Sequence, residues 1–244
     1  MILTAHQPVY LPWLGLFHKI ALADVFCFFD AVQYQPKDWN NRNRVKIHNG
    51  DVVWLSVPVL RSGYREQKYQ DLRINNDIAW QRKHWRTLSL NYDKAPYFHL
   101  YANGLEGFYQ KRWERLADLN YEMLLYFMEV LGLKVPVVRA SENSFSGAKS
   151  DLVFDMCKKL GATAYIFGAL GRDYADAESF AARGIAVHFQ DYQHPIYPQL
   201  YGEFASHLSI VDLIFNCGPR SLEILMSNNV TREQMVSANG VGLH

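Results

Sequence analysis

Cysteine is scarce in this chain. Its three thiols, Cys27, Cys157 and Cys217, form no CxxC pair and are odd in number, which argues against a disulfide-built scaffold and points to a reducing compartment. Charge of one sign is lacking too. The 25 basic side chains are matched by 24 acidic ones, so no overall attraction to nucleic acid or to an anionic membrane is expected. No apolar run approaches the roughly 20 residues of a membrane span, and the first residues lack the basic start and unbroken apolar core of a signal peptide. These absences predict a cytoplasmic protein with no nucleic-acid partner. GxGxxG, Walker A, GxSxG and HExxH are also missing, so no reaction class follows from a short motif. His6, His84, Asp30 and Asp191 do not stand at a diagnostic ligand spacing, and no metal is expected.

What is present is enough for a large core: 244 residues, 49% hydrophobic and 20% charged. Aromatic residues make up 14%, which suits a bulky core or a cleft walled by rings. Residues 1–5 read as a short apolar strand, Pro12 as the first turn of a helix through Trp13, Leu14, Phe17 and Ile20, and residues 25–29 as a strand covered on both faces. Strands at 44–48 and 52–59 flank Asn49-Gly50, a strong hairpin turn. The spacing predicts helices over 77–90, 97–109 and 113–131. The alternation then resumes with strands at 135–139, 164–168 and 185–189 and helices at 150–160, capped by Ser150, and 175–183. The sum is one α/β domain over residues 1–244: a mostly parallel, Rossmann-like sheet with helices on both faces, a β-hairpin, and a helical insertion or lid at about 77–131.

In such a sheet ligands sit beyond the carboxyl ends of the strands, and here those ends are polar. His6 and Gln7 follow the first strand, Asp30 and Gln33 the second, Gly168, Arg172 and Asp173 the fourth, and Asp191, Tyr192 and His194 the fifth. In HQPVYLPWL prolines stiffen the backbone and rings exclude water, a setting that holds an imidazole at a fixed angle as a general base or a donor. The stretch QYQPKDWNNRNRVK joins Asn41 and Arg42 to further amides and cations, a combination able to grip a phosphate or carboxylate. Trp39 and Trp54 can stack on a ring or fill a core. His84 shares a helical face with Trp80. The stretch HFQDYQHPIYPQLYGEF repeats the aromatic, proline-stiffened character of the opening and is the opposite wall of the same expected cleft. Cys217, in a turn-like FNCGPRS, is either a nucleophile or an inert buried thiol.

The segments HQPVYLPWLGLFHKIALADVF, VQYQPKDWNNRNRVK, WQRKHW, HPIYPQL and LSIVDLIFNCG together resemble the WbqC-like family, over most of the chain to about Gly218. The resemblance implies a role in O-antigen or other surface-polysaccharide biosynthesis, in making or modifying an unusual sugar. The order strand, His-containing loop, Pro, Gly, helix, strand is also similar to the nucleotidylyltransferases of the HUP-type α/β group. Their HxGH motif binds ATP phosphates at the first helix. Here His6 stands too early for that motif, and Leu16 follows Gly15 where its second histidine belongs.

The reading that follows is transfer of an acyl or aminoacyl group to a nucleotide-linked amino sugar, with acyl-CoA or an acyl carrier protein as donor. His6 is the expected base, oriented by Asp30 or Gln33, with His84 and Gln7 as alternative donors and Arg42 with Asn41 on an anionic part of the substrate. Tyr10, Trp54, Tyr92, Tyr174, His194, Tyr197 and Gln199 complete the expected substrate contacts. An ATP-dependent nucleotidyl transferase or ligase is the alternative, and a noncatalytic sugar-binding protein of a glycan assembly complex is the third.

Overall fold

The structure is a computed structural model and describes residues 1–36, 38–60, 67–173 and 175–238. Five parallel strands form the main sheet: β1 (Ile2–His6), β2 (Val25–Phe28), β5 (Val137–Arg139), β6 (Ala164–Phe167) and β7 (Ala186–Phe189), in the order β5-β2-β1-β6-β7. Chain order runs outward from β1 to β5 on one side and then from β6 to β7 on the other. The order therefore reverses between β1 and β6, the place where α/β sheets open a crevice. This is the Rossmann-like α/β fold that the alternation of elements predicts.

Helices cover both faces because the strand side chains alternate. Leu3, Cys27, Tyr165 and Phe167 pack with Val153, Met156 and Cys157 of α5 (Ser150–Leu160) and Phe180 of α6 (Ala177–Ala181). On the other face Phe26 and Phe28 meet α1 (Leu14–Ala21) and α4 (Leu116–Val130), where Phe17 and Phe127 lie edge to face at 6.2 Å. Ile2, Ala164 and Ile166 are closed over by Met235 of α9 (Arg232–Ala238). Among the described residues no helix is long and apolar enough to cross a membrane.

Between β2 and β5 the chain builds the antiparallel pair β3 (Arg42–Lys46) and β4 (Val52–Ser56), then α2 (Trp80–Tyr92), α3 (Phe98–Gln110) and α4. The sheet core, the hairpin and these helices share one cluster of buried apolar side chains, joined by Ile210, Val211 and Phe215 of α7 (Ile210–Cys217). The short helix α8 (Ser221–Met226) follows α7.

Several element ends differ from the sequence reading, each for a local reason. Pro12 lies ahead of α1, its carbonyl accepting from Ile210 N–H. The second helix starts at Trp80, because Asn75 Oδ1 takes the Asp77 N–H in a turn. Residues 113–115 stay extended: Arg73 and Arg115 form a bridge, and Leu116 N–H donates to the Leu72 carbonyl. Ser150 opens α5 without capping it, since the cap position is Lys149. The helix expected at 175–183 shortens to Ala177–Ala181 under an Asp176 cap, and the strand expected at 135–139 to Val137–Arg139. Helices α7 to α9 were not anticipated from composition and spacing.

Candidate functional site

His6 ends β1 beside the point where β1 and β6 part. Its Nδ1 lies 2.7 Å from the Gln7 carbonyl, an acceptor only, so Nδ1 carries the proton and Nε2 keeps its lone pair. Nε2 makes no hydrogen bond to another described residue, and the ring is half-buried, edge-on to Trp13 at 5.0 Å. Burial, reinforced by the Lys19 ammonium, pushes the imidazole down to about 3. Lys19, on α1, is itself buried and donates to the Ala5 carbonyl at 3.0 Å; burial lowers its amine to about 7. No carboxylate among the described residues forms an ion pair with it.

Asparagines of the stretch before β4 pin the loop that carries His6. Asn40 Nδ2 donates to the Pro8 carbonyl at 2.9 Å and Asn43 Nδ2 to the Leu11 carbonyl at 2.5 Å, while Tyr10 N–H donates to the Asn40 carbonyl. Leu11 needs this help, because its φ of 46° is unusual for a leucine. Gln7 lies beside Asn40, whose Nδ2 approaches its Oε1 at 3.5 Å. The Gln7 Nε2 is left to donate elsewhere.

Rings and cations continue from His6. Trp13 leads to Trp39, and Trp39 to Trp54, with centroids 6.4 and 5.2 Å apart. The Arg42 guanidinium stands 4.4 Å above Trp54. His6 and Arg42 are thus linked by an aromatic path. Arg42 and Asn41 also line a groove of 760 Å³ with Tyr34, Ser56, Val57, Val59, Leu60 and Ile78, a volume suited to a small ligand.

Other expected site residues lie elsewhere. Asp30 is fully buried and accepts from Arg139 Nε and Nη2 and from Ser141 N–H and Oγ, so it binds β2 to β5 while the Gln7 carbonyl orients His6. Gln33 is exposed and bridges to Lys68. His84 is buried; its Nδ1 meets the Tyr10 hydroxyl at 2.8 Å, and that hydroxyl meets Tyr109 at 2.8 Å. Burial pushes His84 down to about 4, against the backbone of Ser56. Tyr174 lies outside the described residues.

Tyr92, Tyr197 and Gln199 do come together, around a residue the sequence reading passed over. Asp212 is fully buried on α7 and accepts from the Tyr92 hydroxyl at 2.8 Å, the Tyr197 hydroxyl at 3.0 Å and Gln199 Nε2 at 2.9 Å. Lys46 Nζ completes the group on Gln199 Oε1 and the Glu203 carbonyl. Burial raises the Asp212 carboxyl to about 6 despite these donors. The group fastens the segment after β7 to the hairpin, whereas His194 works within that segment, donating to the Pro195 carbonyl and accepting from His207 N–H. Cys217 is buried, and burial with the nearby Asp212 charge raises its thiol to about 11, which keeps it from acting as a thiolate. Asp212 and Lys19 carried one signal, a charge inside an apolar run, in IVDLIF and FHKIAL. Among the described residues no three His, Cys, Asp or Glu side chains gather as a metal would require.

The sequence profile of the WbqC-like protein family matches residues 7–224. The chain is 34% identical over 221 residues to the uncharacterized protein Rv1507c of Mycobacterium tuberculosis, covering 90% of this chain and 95% of that one. No solved structure matches.

Proposed function

The chain belongs to the WbqC-like protein family, and from that premise we propose that it is an enzyme of surface-polysaccharide biosynthesis that transfers an acyl or aminoacyl group to the amine of a nucleotide-linked amino sugar. The observation that carries this reading is the His6 imidazole at the end of β1, locked by the Gln7 carbonyl in the tautomer that leaves the Nε2 lone pair free. A base so placed takes the proton as the amine attacks.

The donor is a thioester, acyl-CoA or an acyl carrier protein. The amine nitrogen bonds to the acyl carbon and the carbon–sulfur bond breaks; the amine proton passes to His6 Nε2 and then to the leaving thiolate. Gln7 Nε2 is the donor for the developing oxyanion. The groove beside Arg42, apolar along Val57, Val59, Leu60 and Ile78, is the place for the acyl chain. An anionic substrate near His6 raises its basicity from the low value that burial imposes.

Adenylation at the first helix is less well supported. A Cβ added at Gly15 would stand 2.9 Å from the Trp13 indole nitrogen and 2.9 Å from the Tyr192 ring, so two rings already crowd the turn where ATP phosphates would sit.

Mass spectrometry of the protein incubated with nucleotide-sugar and acyl-donor pools tests the reading. The expected result is an amino sugar heavier by one acyl group, with turnover falling about a hundredfold or more in His6→Ala while the melting temperature stays within a few degrees. Full turnover in that variant removes His6 from the mechanism. Affinity without any product favours a noncatalytic sugar-binding protein.

A further inference from the structure

The outer face of the β3–β4 hairpin carries indoles and cations together. Arg42 is paired with Ser56 and Arg44 with Trp54 across the hairpin, so strand alternation puts these side chains on one face and sends Val45 and Leu55 to the core. Arg44 stands 5.6 Å from the Trp39 ring and 5.8 Å from Trp54. Trp54 is 45% exposed, an unusual position for so large an apolar ring.

Among the described residues the Arg44 charge on this face is not matched by acid. Arg44 Nη2 donates to the carbonyls of Ser206 and His207, both neutral acceptors, and its buried Nε has no hydrogen-bond partner. No carboxylate among the described residues pairs with Arg44. Asp38, the acid next to Trp39 in the chain, accepts the Trp39 N–H as the cap of the short turn that follows and forms no ion pair with Arg44. Lys46 differs, since the Asp212 carboxylate acts on it from the buried network. A bare anion needs no indole and an apolar partner needs no guanidinium. A flat ring joined to phosphates uses both.

We propose that Trp39, Trp54, Arg42 and Arg44 form a subsite for a nucleoside diphosphate, with the base stacked on Trp54, the phosphates on the two guanidinium groups, and the group carried by the diphosphate directed past Trp13 toward His6. This rests on the reading of His6 as the base and names the substrate class that base meets. A nucleotide-sugar and coenzyme A share this chemistry, the first as acceptor and the second as donor.

Tryptophan fluorescence and calorimetry on the full chain, with uridine diphosphate, UDP-N-acetylglucosamine, coenzyme A and pyrophosphate as probes, test it. Uridine diphosphate is expected to bind saturably and at least tenfold more tightly than pyrophosphate. Trp54→Ala, a change at an exposed ring, and Arg44→Met are each expected to weaken it tenfold or more, while His6→Ala leaves it within twofold. Tighter binding of the nucleotide-sugar than of coenzyme A assigns the subsite to the acceptor; the reverse order assigns it to the donor. Absence of saturable binding by all three nucleotides at millimolar concentration overturns the proposal. Binding that both hairpin variants leave unchanged overturns it as well and leaves the role of His6 standing. Binding lost in those variants, together with full turnover in His6→Ala, supports the subsite and removes the base.

Discussion

Lys19 Nζ donates to the carbonyl of Ala5 at 3.0 Å, and this contact sets a buried amine beneath the histidine that follows. The carbonyls of Ile2 and His6 accept from Asp24 and Phe29 on the β2 side, and that of Met1 from Ala164 on the β6 side. By alternation the Ala5 carbonyl faces β6. The pairing of β1 with β6 ends at Thr4 and Ile166, so the amine takes the carbonyl left over where the two strands separate.

That position has a measurable pH signature. Burial lowers Lys19 from 10.5 to about 7, so between those values the unfolded chain holds more protons than the folded one. Stability therefore rises with pH across that window. Lys19→Met is expected to remove this slope and to gain about 1–3 kcal/mol at pH 7 by removing a buried charge. Urea denaturation at pH 7 and pH 9.5 checks both; an unaltered slope in the variant contradicts the assignment.

His84 acts at the acid side. Its folded value of about 4 lies below the ordinary 6.5, so its contribution is present above pH 6.5 and is lost as pH falls toward 4, by at most about 3 kcal/mol. Tyr10→Phe is expected to cost about 1–3 kcal/mol at neutral pH, since it strands the His84 nitrogen that the hydroxyl satisfies. Thermal melts from pH 7 to 4.5 measure both effects.

Asp212 is expected to work with the opposite sign. Its carboxyl, raised from 3.8 to about 6, binds its proton more tightly in the folded state, so its contribution falls as pH rises from 4 to 6. Asp212→Asn would turn an amide N–H toward the Tyr197 and Gln199 donors or the Tyr92 donor, at a cost of about 2–4 kcal/mol at pH 7. A variant as stable as the parent would show that the buried cluster contributes little.

Gly218→Ala tests a close approach in the backbone. Gly218 has φ of 55°, and an added Cβ would stand 2.4 Å from the Tyr97 ring. Both strain and collision oppose a side chain, so a loss of about 2–4 kcal/mol is expected in chemical denaturation.

The order of strands and helices was legible because hydrophobic period reports which faces are covered, and that is a local property. Gly161, with φ of 72°, closes α5 as its glycine foretells, and Asn49-Gly50 joins β3 to β4. His6 stood out the same way, as a polar residue at the end of a mostly apolar strand. The amides of QYQPKDWNNRNRVK were legible as polar groups only; that Asn40 and Asn43 grip the carbonyls of the His6 loop depended on how the hairpin packs.

By itself, then, the sequence determined a parallel α/β sheet and a polar rim at its carboxyl ends, since these follow from side-chain periodicity along each segment. Only the tertiary structure decided the partners of each rim residue. Asp30 went to Arg139, His84 to Tyr10, and three expected ligand contacts to Asp212. A buried polar group takes whatever complementary donor or acceptor packing brings within 3 Å, and those partners come from positions far apart in the chain.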